Sequence, residues 1–182
     1  MLTDEELMLS VAKGNVGAFE EIVRRHQASA WNTACRFLGD AEEARDVVQD
    51  AFLKLLDAAP RYQPKALFKT YLYCIITRLC LDRAQKKRPI YTDDLADDLP
   101  QMHDPRPSAI ERLLTRERDR AVAAALDTLP PNQRMAVILK YYEGFGYQEI
   151  SQAMQVTEKA VERLLARARG SLQAALLDLI KS

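Results

Sequence analysis

The sequence predicts an all-α protein made of two small helical domains joined by an acidic, proline-rich linker. Three observations lead there. Apolar residues recur at the three- and four-residue spacing of amphipathic helices, and no stretch alternates as a half-buried strand would. The 182-residue chain holds only 6 glycines and is 48% apolar, a composition suited to folded helices. Charge is segregated although it totals zero, 26 basic residues against 26 acidic. Residues 1–60 carry 6 basic and 11 acidic side chains, 61–88 carry 8 and 1, 89–111 carry 1 and 6, and 112–182 carry 11 and 8. An anionic polymer responds to such a local basic block, whatever the total.

Taken in order, Thr3-Asp4-Glu5-Glu6 is a capping-box pattern that opens a short helix ending at Gly14. Asn15 can cap a long helix that runs to Phe37-Leu38 and closes at Gly39. Asp40 to Glu43 repeats the capping logic. The helix that follows has Ala44, Val47, Val48, Ala51, Phe52, Leu55 and Leu56 as its apolar face. Its other side shows a polar stripe, Asp46, Gln49, Asp50 and Lys54, with no intramolecular task visible in the sequence. Residues 58–66 form a loop, since two prolines forbid helix there. Leu67–Lys87 is predicted as a long helix burying Phe68, Leu72, Ile75 and Leu79, with Tyr71, Cys74, Arg78 and Gln85 on a neighbouring row. Pro89 to Pro107 has four prolines, net acidic charge and no periodicity, so 89–111 is expected to be a mobile linker between domains at 1–88 and 112–182.

The second domain resumes with a helix at Leu113–Leu126, then a stop and restart at Leu129-Pro130-Pro131. Gly144 and Gly146 break the chain after Tyr142, offering positions where positive φ is inexpensive. Tyr147–Met154 makes a short helix, and Thr157 sits where an N-cap belongs. The last helix lines up Val161, Leu164, Leu165, Ala168, Leu172, Leu176 and Leu179, while Lys159, Arg163 and Arg167 recur every fourth residue on another face. A short helix, a tight turn and a capped basic helix describe a helix-turn-helix that enters duplex DNA.

Several function classes drop out. Cys35, Cys74 and Cys80 lack metal-ligand spacing and read as reduced, buried thiols. His26 falls on the apolar face of its helix and reads as a packed core imidazole, and His103 stands alone in the linker. No catalytic residue, metal site or cofactor is expected, so the chain is read as a non-enzyme. No apolar run reaches membrane-spanning length and no secretory leader is visible, which places the protein in the cytoplasm. The block 61–88 interleaves Tyr62, Phe68, Tyr71 and Tyr73 with Arg61, Lys65, Lys69 and Arg78 before ending in Lys86-Lys87-Arg88. Basic groups among aromatic rings suit single-stranded nucleic acid, whose phosphates need neutralising and whose unstacked bases need a flat partner.

The order of these pieces resembles a bacterial RNA polymerase sigma factor of the extracytoplasmic-function group, compact members of the sigma-70 family that keep the second and fourth conserved regions. The resemblance rests on Ala18-Phe19-Glu20-Glu21-Ile22-Val23, Leu38-Gly39-Asp40, Asp46-Val47-Val48-Gln49-Asp50-Ala51-Phe52, Tyr71-Leu72-Tyr73 and Leu81-Asp82. It continues through Leu129-Pro130-Pro131-Asn132-Gln133-Arg134, Tyr141-Tyr142-Glu143-Gly144, Tyr147-Gln148-Glu149-Ile150 and Arg167-Ala168-Arg169. It implies a region 2-like bundle and a region 4-like helix-turn-helix, with core polymerase, promoter DNA and an anti-sigma factor as partners. By that resemblance Asp46, Gln49, Asp50 and Lys54 dock on the clamp helices of the polymerase's largest subunit. Arg61, Tyr62, Lys65, Tyr71 and Arg78 melt and read the minus-ten element. Thr157, Glu158, Lys159, Glu162, Arg163, Arg167 and Arg169 read the minus-thirty-five element. The alternative reading is a stand-alone helix-turn-helix repressor or activator, which needs neither the polar stripe nor the aromatic-basic block.

The chain departs from family habit at several positions. Tyr71 stands where many members have Trp, and Thr77-Arg78 where Arg-Asn is common. Glu162 and Leu164 stand where Lys and Arg are frequent, which leaves the promoter sequence open. Glu158 and Glu162 would repel phosphates and are better suited to accept from cytosine amino groups or to orient Arg163.

Overall fold

The computed structural model describes residues 1–86 and 119–181, with side chains described as far as residue 175. The expected linker at 89–111, His103, the helix start at residues 113–118, and the side chains of Leu176 and Leu179 lie outside the described residues. All regular structure among the described residues is helical. It comprises α1 (Asp4–Val11), α2 (Val16–Leu38), α3 (Ala41–Ala58), a 3₁₀ turn at Ala59–Arg61 and α4 (Phe68–Lys86). A helix α5 over residues 119–127 is followed by α6 (Pro131–Tyr141), α7 (Tyr147–Met154) and α8 (Glu158–Lys181).

The punctuation read from the sequence works as expected at most boundaries. Thr3 and Glu6 form the reciprocal capping box of α1, at 3.2 and 2.8 Å. Asn15 accepts from the Ala18 N–H at 3.1 Å, and Asp40 accepts from both Glu42 and Glu43 at 2.9 Å. Gly39 ends α2 in the left-handed region at φ 69°, donating its N–H to Cys35. Gly144 also takes a positive φ of 71°, but Gly146 does not. Gly146 is instead the N-cap of α7 at φ −74°, its N–H held by Glu149 Oε2 at 2.7 Å.

Helices α1 to α4 form one bundle and α5 to α8 a second, and the two pack against each other through α2 with α6 and α4 with α6 and α7. A single run of buried apolar side chains therefore extends from Leu7 in α1 to Ala168 in α8. This corrects the expected burial of α4. Ile75 and Leu79 are only partly buried, whereas Tyr73, Ile76, Thr77 and Cys80 are fully buried. A helix covered on one side shows one apolar stripe, and α4 is covered on two. Helix α6 shows the same effect, with Met135 through Leu139 all buried. Leu56, expected on the apolar face of α3, is 40% exposed.

The buried thiols serve packing. Desolvation pushes Cys35 up to about 11 and Cys80 up to about 12, so both stay protonated and unreactive at neutral pH. His26 packs its ring against Phe68 at 5.3 Å, as a core imidazole should. It also has a carboxylate partner that sequence spacing did not reveal, with Nε2 2.8 Å from Asp4 Oδ2.

Two glycines test the backbone argument with opposite signs. A Cβ at Gly39 or at Gly170 meets nothing within 4 Å, so sterics beyond the backbone drop out. Gly39→Ala should destabilise by about 1–2 kcal/mol, because an L side chain resists left-handed φ. Gly170→Ala, inside α8, should stabilise by about 0.5–1 kcal/mol. Denaturant unfolding of the two variants checks both signs, and a loss at Gly170 would contradict the helical assignment there.

Candidate nucleic-acid and polymerase interface

The loop between α3 and α4 is shaped from its own residues upward. Pro60 starts the 3₁₀ turn, and Tyr62 N–H closes it onto the Ala59 carbonyl at 3.1 Å. Glu5, reaching across from α1, accepts the first N–H of α4 at Phe68 at 2.8 Å and fixes where that helix begins. Tyr62 is buried in edge-on contact with Phe68 and Tyr71, ring centroids 6.5 and 5.3 Å away. The result is a pocket of about 300 Å³ lined by Arg61, Tyr62, Gln63, Lys65, Ala66 and Tyr71. That volume lies at the lower end of small-ligand sites.

Four residues proposed from the sequence as one contact set, Arg61, Tyr62, Lys65 and Tyr71, converge on this pocket. Arg78 lies about two turns further along α4 and is exposed. Gln63 was missed by the sequence reading. Its amide can both donate and accept, which suits a base edge, and its signal was its place between two basic residues of an aromatic loop. Tyr62 contributes its ring wall more than a reactive hydroxyl, since burial pushes its phenol up to about 12.

Along α3, Asp46, Gln49 and Lys54 are exposed as the stripe requires. Asp50 is not idle, because its Oδ2 lies 3.4 Å from an Arg83 guanidinium nitrogen on α4. Exposed charges at that spacing attract weakly. Beside the stripe, Leu53 is 53% exposed and Leu56 is 40% exposed, an apolar edge that helical periodicity alone had assigned in part to the core. A polar stripe flanked by exposed leucines has the make-up of a protein-docking face.

The third surface belongs to α7 and α8. The turn between them places Gln155 in the left-handed region at φ 55°, the one non-glycine residue there with positive φ among those described. Thr157 then caps α8, its hydroxyl accepting from the Ala160 N–H at 3.1 Å. Val161, Leu165 and Ala168 bury one face of α8 against the core. Thr157, Glu158, Lys159, Glu162, Arg163, Arg167 and Arg169 are all exposed on the rest of the helix. None of these seven forms an ion pair among the described residues. By contrast, the arginines of α2 are engaged. Arg24 and Arg25 hold Glu21 at 2.6 and 2.7 Å and draw its carboxyl down to about 2.

No group of three or more His, Cys, Asp or Glu is placed to hold a metal among the described residues. No described helix is long and apolar enough to cross a membrane.

Residues 22–90 match the family described as sigma-70 region 2, and residues 119–172 match sigma-70 region 4. The chain belongs to the sigma-70 family of RNA polymerase sigma factors. It is 30% identical to the RNA polymerase sigma-H factor of Pseudomonas aeruginosa over 98% of this chain and 96% of that one. It is 28% identical to the extracytoplasmic-function sigma-E factor of Escherichia coli over 99% of this chain and 97% of that one. Its fold superposes at a TM-score of 0.71 on CnrH, solved in complex with the cytosolic domain of CnrY, at 27% identity and 97% coverage of both chains. This sigma factor is therefore of the extracytoplasmic-function group. It directs RNA polymerase to promoters and is not an enzyme, which sets aside the stand-alone repressor or activator.

Proposed function

We propose that the three surfaces divide the work of initiation among them. The domain at residues 1–88 docks on the clamp helices of the largest polymerase subunit through Asp46, Gln49, Asp50 and Lys54, with Leu53 and Leu56 completing the contact. Its pocket takes a base extruded from the minus-ten element, with Tyr62 and Tyr71 as walls, Arg61 and Lys65 holding the flanking phosphates, and Arg78 extending the track. The domain at residues 112–182 reads the minus-thirty-five element through α8, and the acidic proline-rich stretch 89–111 tethers the two. The convergence of Arg61, Tyr62, Lys65 and Tyr71 on one pocket is the observation that carries this reading. Stacking a flipped base on an aromatic ring is worth about 1–3 kcal/mol, enough to bias strand separation. An anti-sigma factor acting in the cytoplasm completes the scheme, supported by the relative solved with CnrY.

Docking on polymerase is tested by Gln49→Ala combined with Asp50→Lys. The double variant should lose association with core polymerase in a pull-down while its helicity stays unchanged. Because Asp50 also faces Arg83, Arg83→Ala is the control and should leave docking intact. Full transcription by the double variant would reduce the stripe to a solvated helix face.

For duplex reading, Arg163→Ala should cost about 1–3 kcal/mol and relax preference at one promoter position, as loss of a base-edge contact does. Arg169→Ala should weaken binding to all sequences alike and flatten its salt dependence, as loss of a phosphate contact does. Affinities across a panel of promoter variants at two salt concentrations separate the two roles. Identical profiles would remove base reading from Arg163.

Melting is tested at the pocket. Alanine at Tyr62 and Lys65 should leave polymerase binding intact and impair initiation on duplex promoters. A template already mismatched across the minus-ten region should recover much of the loss, since strand separation is then no longer required. No recovery from a folded, polymerase-bound variant would remove melting from this loop.

A further inference from the structure

Helix α4 begins without a cap of its own. Leu67, the residue before Phe68, has no side-chain acceptor for the orphan N–H groups that open a helix. The first turn holds no acidic residue. It holds Lys69 instead, whose charge is unfavourable at a helix N-terminus. What the local sequence omits is supplied from α1, 63 residues earlier, where Glu5 Oε1 accepts the Phe68 N–H at 2.8 Å. A charged acceptor makes such a bond about twice as strong as a neutral one. Helix α1 is itself tied down next to Glu5. Asp4 accepts from Arg25 Nη1 at 2.9 Å and lies 2.8 Å from His26 Nε2, and Arg25 also donates to the Leu2 carbonyl at 3.0 Å. The His26 ring lies 5.3 Å from Phe68, so α1 and α2 both hold the first residue of α4.

The pocket beside this junction depends on where α4 starts. Its loop wall is Arg61, Tyr62, Gln63, Lys65 and Ala66, and its other wall is Tyr71 on the first turn of α4. The Tyr62 hydroxyl is buried and hydrogen-bonds to no described residue. Burial raises its phenol, and the Glu5 charge nearby raises it further. Glu5 thus adjoins both walls, Tyr62 by its charge and α4 by its hydrogen bond. We propose that Glu5 is a positioning residue for base capture, its carboxylate capping α4 and so setting the spacing between the loop wall and Tyr71. This deepens the reading of the pocket as the site of an extruded base and rests on it. Glu5 touches no base. It sharpens the preference for one base over another, because discrimination needs walls held in place by a supporting shell. Without the cap the first turn of α4 frays, and Tyr71 sits on that turn.

Base enrichment by the holoenzyme tests this. Core polymerase carrying the full-length sigma factor captures strands from a randomised single-stranded DNA pool, and sequencing reads the enriched base at each position of their shared motif. The wild type should enrich one base at a position where Tyr71→Ala abolishes the enrichment. Glu5→Ala should lower that enrichment about twofold or more, the scale of a lost helix cap. Leu67→Ser added to Glu5→Ala gives α4 a local cap and should restore most of it, Leu67 being 62% exposed. Circular dichroism and a polymerase pull-down should be unchanged in the Glu5 and Leu67 variants. A role in stability alone would reduce capture of every sequence and leave the enrichment ratio untouched. Should Glu5→Ala fail to fold, Glu5→Gln keeps an accepting oxygen without the charge and should show a smaller loss, again reversed by Leu67→Ser. Unchanged enrichment in the folded Glu5 variant overturns the positioning role and leaves the pocket reading standing. A loss that Leu67→Ser does not reverse overturns capping as its cause. Enrichment that survives Tyr71→Ala at every position overturns the base-binding reading, and the positioning role with it.

Discussion

Helix α4 is buried from two sides, and most of what the structure does follows from that. One side packs on α2 and α3, placing Phe68 and Leu72 in the first bundle's core. The other packs on α6 and α7, where Tyr73 meets Phe145 with ring centroids 5.2 Å apart. Burying side chains of the size of Leu72 and Ile76 is worth about 1.5–3 kcal/mol each. The arrangement also explains the composition of α4, where threonine, tyrosine and isoleucine interrupt any simple stripe. Because its first turn is held by Glu5 and Tyr62, the same helix sets the walls of the pocket at one end. It carries Lys69 in that first turn and Cys74 further along, both in contact with the second bundle.

Cations in this sigma factor fall into two populations. Arg24, Arg25 and Arg134 are spent on internal partners, and Arg134 ties together the α2 terminus, Asp127 and Leu129 with hydrogen bonds of 2.8–3.3 Å. Burial works against the charge on Arg134, yet three accepting carbonyls keep it in place. Arg61, Lys65, Arg78, Arg163, Arg167 and Arg169 are left exposed. Clusters of unpaired like charge repel in the free protein, and phosphates relieve that repulsion on binding. An overall charge of zero is thus compatible with two basic surfaces, because the acidic residues are gathered on α1, α3 and the stretch after α4.

The helix-turn-helix shows how local chemistry aims a surface. Gly144 accepts a backbone form that other residues resist, Gly146 opens α7 with Glu149 as its capping partner, and Gln155 turns the chain into α8 through a left-handed step. A side chain in that step costs about 1–2 kcal/mol relative to glycine. Here the Gln155 amide makes a contact with Cys74 that glycine could not, so the turn serves the union of the bundles as well as the angle between two helices.

What the sequence determined by itself is the set of helices, their caps and the chemistry of their outer faces. Those properties are local, since a cap such as Thr3, Asn15, Asp40 or Thr157 acts within a few residues of itself. A basic row such as Lys159, Arg163 and Arg167 faces one way on any helix. The grouping of Arg61, Tyr62, Lys65 and Tyr71 was legible for the same reason, all four lying on a short loop and the first turn of the helix after it. Tertiary structure alone decided which apolar residues went inside and which polar ones met. Leu56 stays outside because no described element covers that edge of α3, while Tyr73 goes inside because Phe145, between α6 and α7, covers it. The pairs Asp4–His26, Asp50–Arg83 and Glu143–Lys69 join residues far apart in the chain, and helical periodicity carries no information about such meetings. Burial of Glu143 depends on two bundles coming together, a property of the folded surface of each, which no single helix encodes.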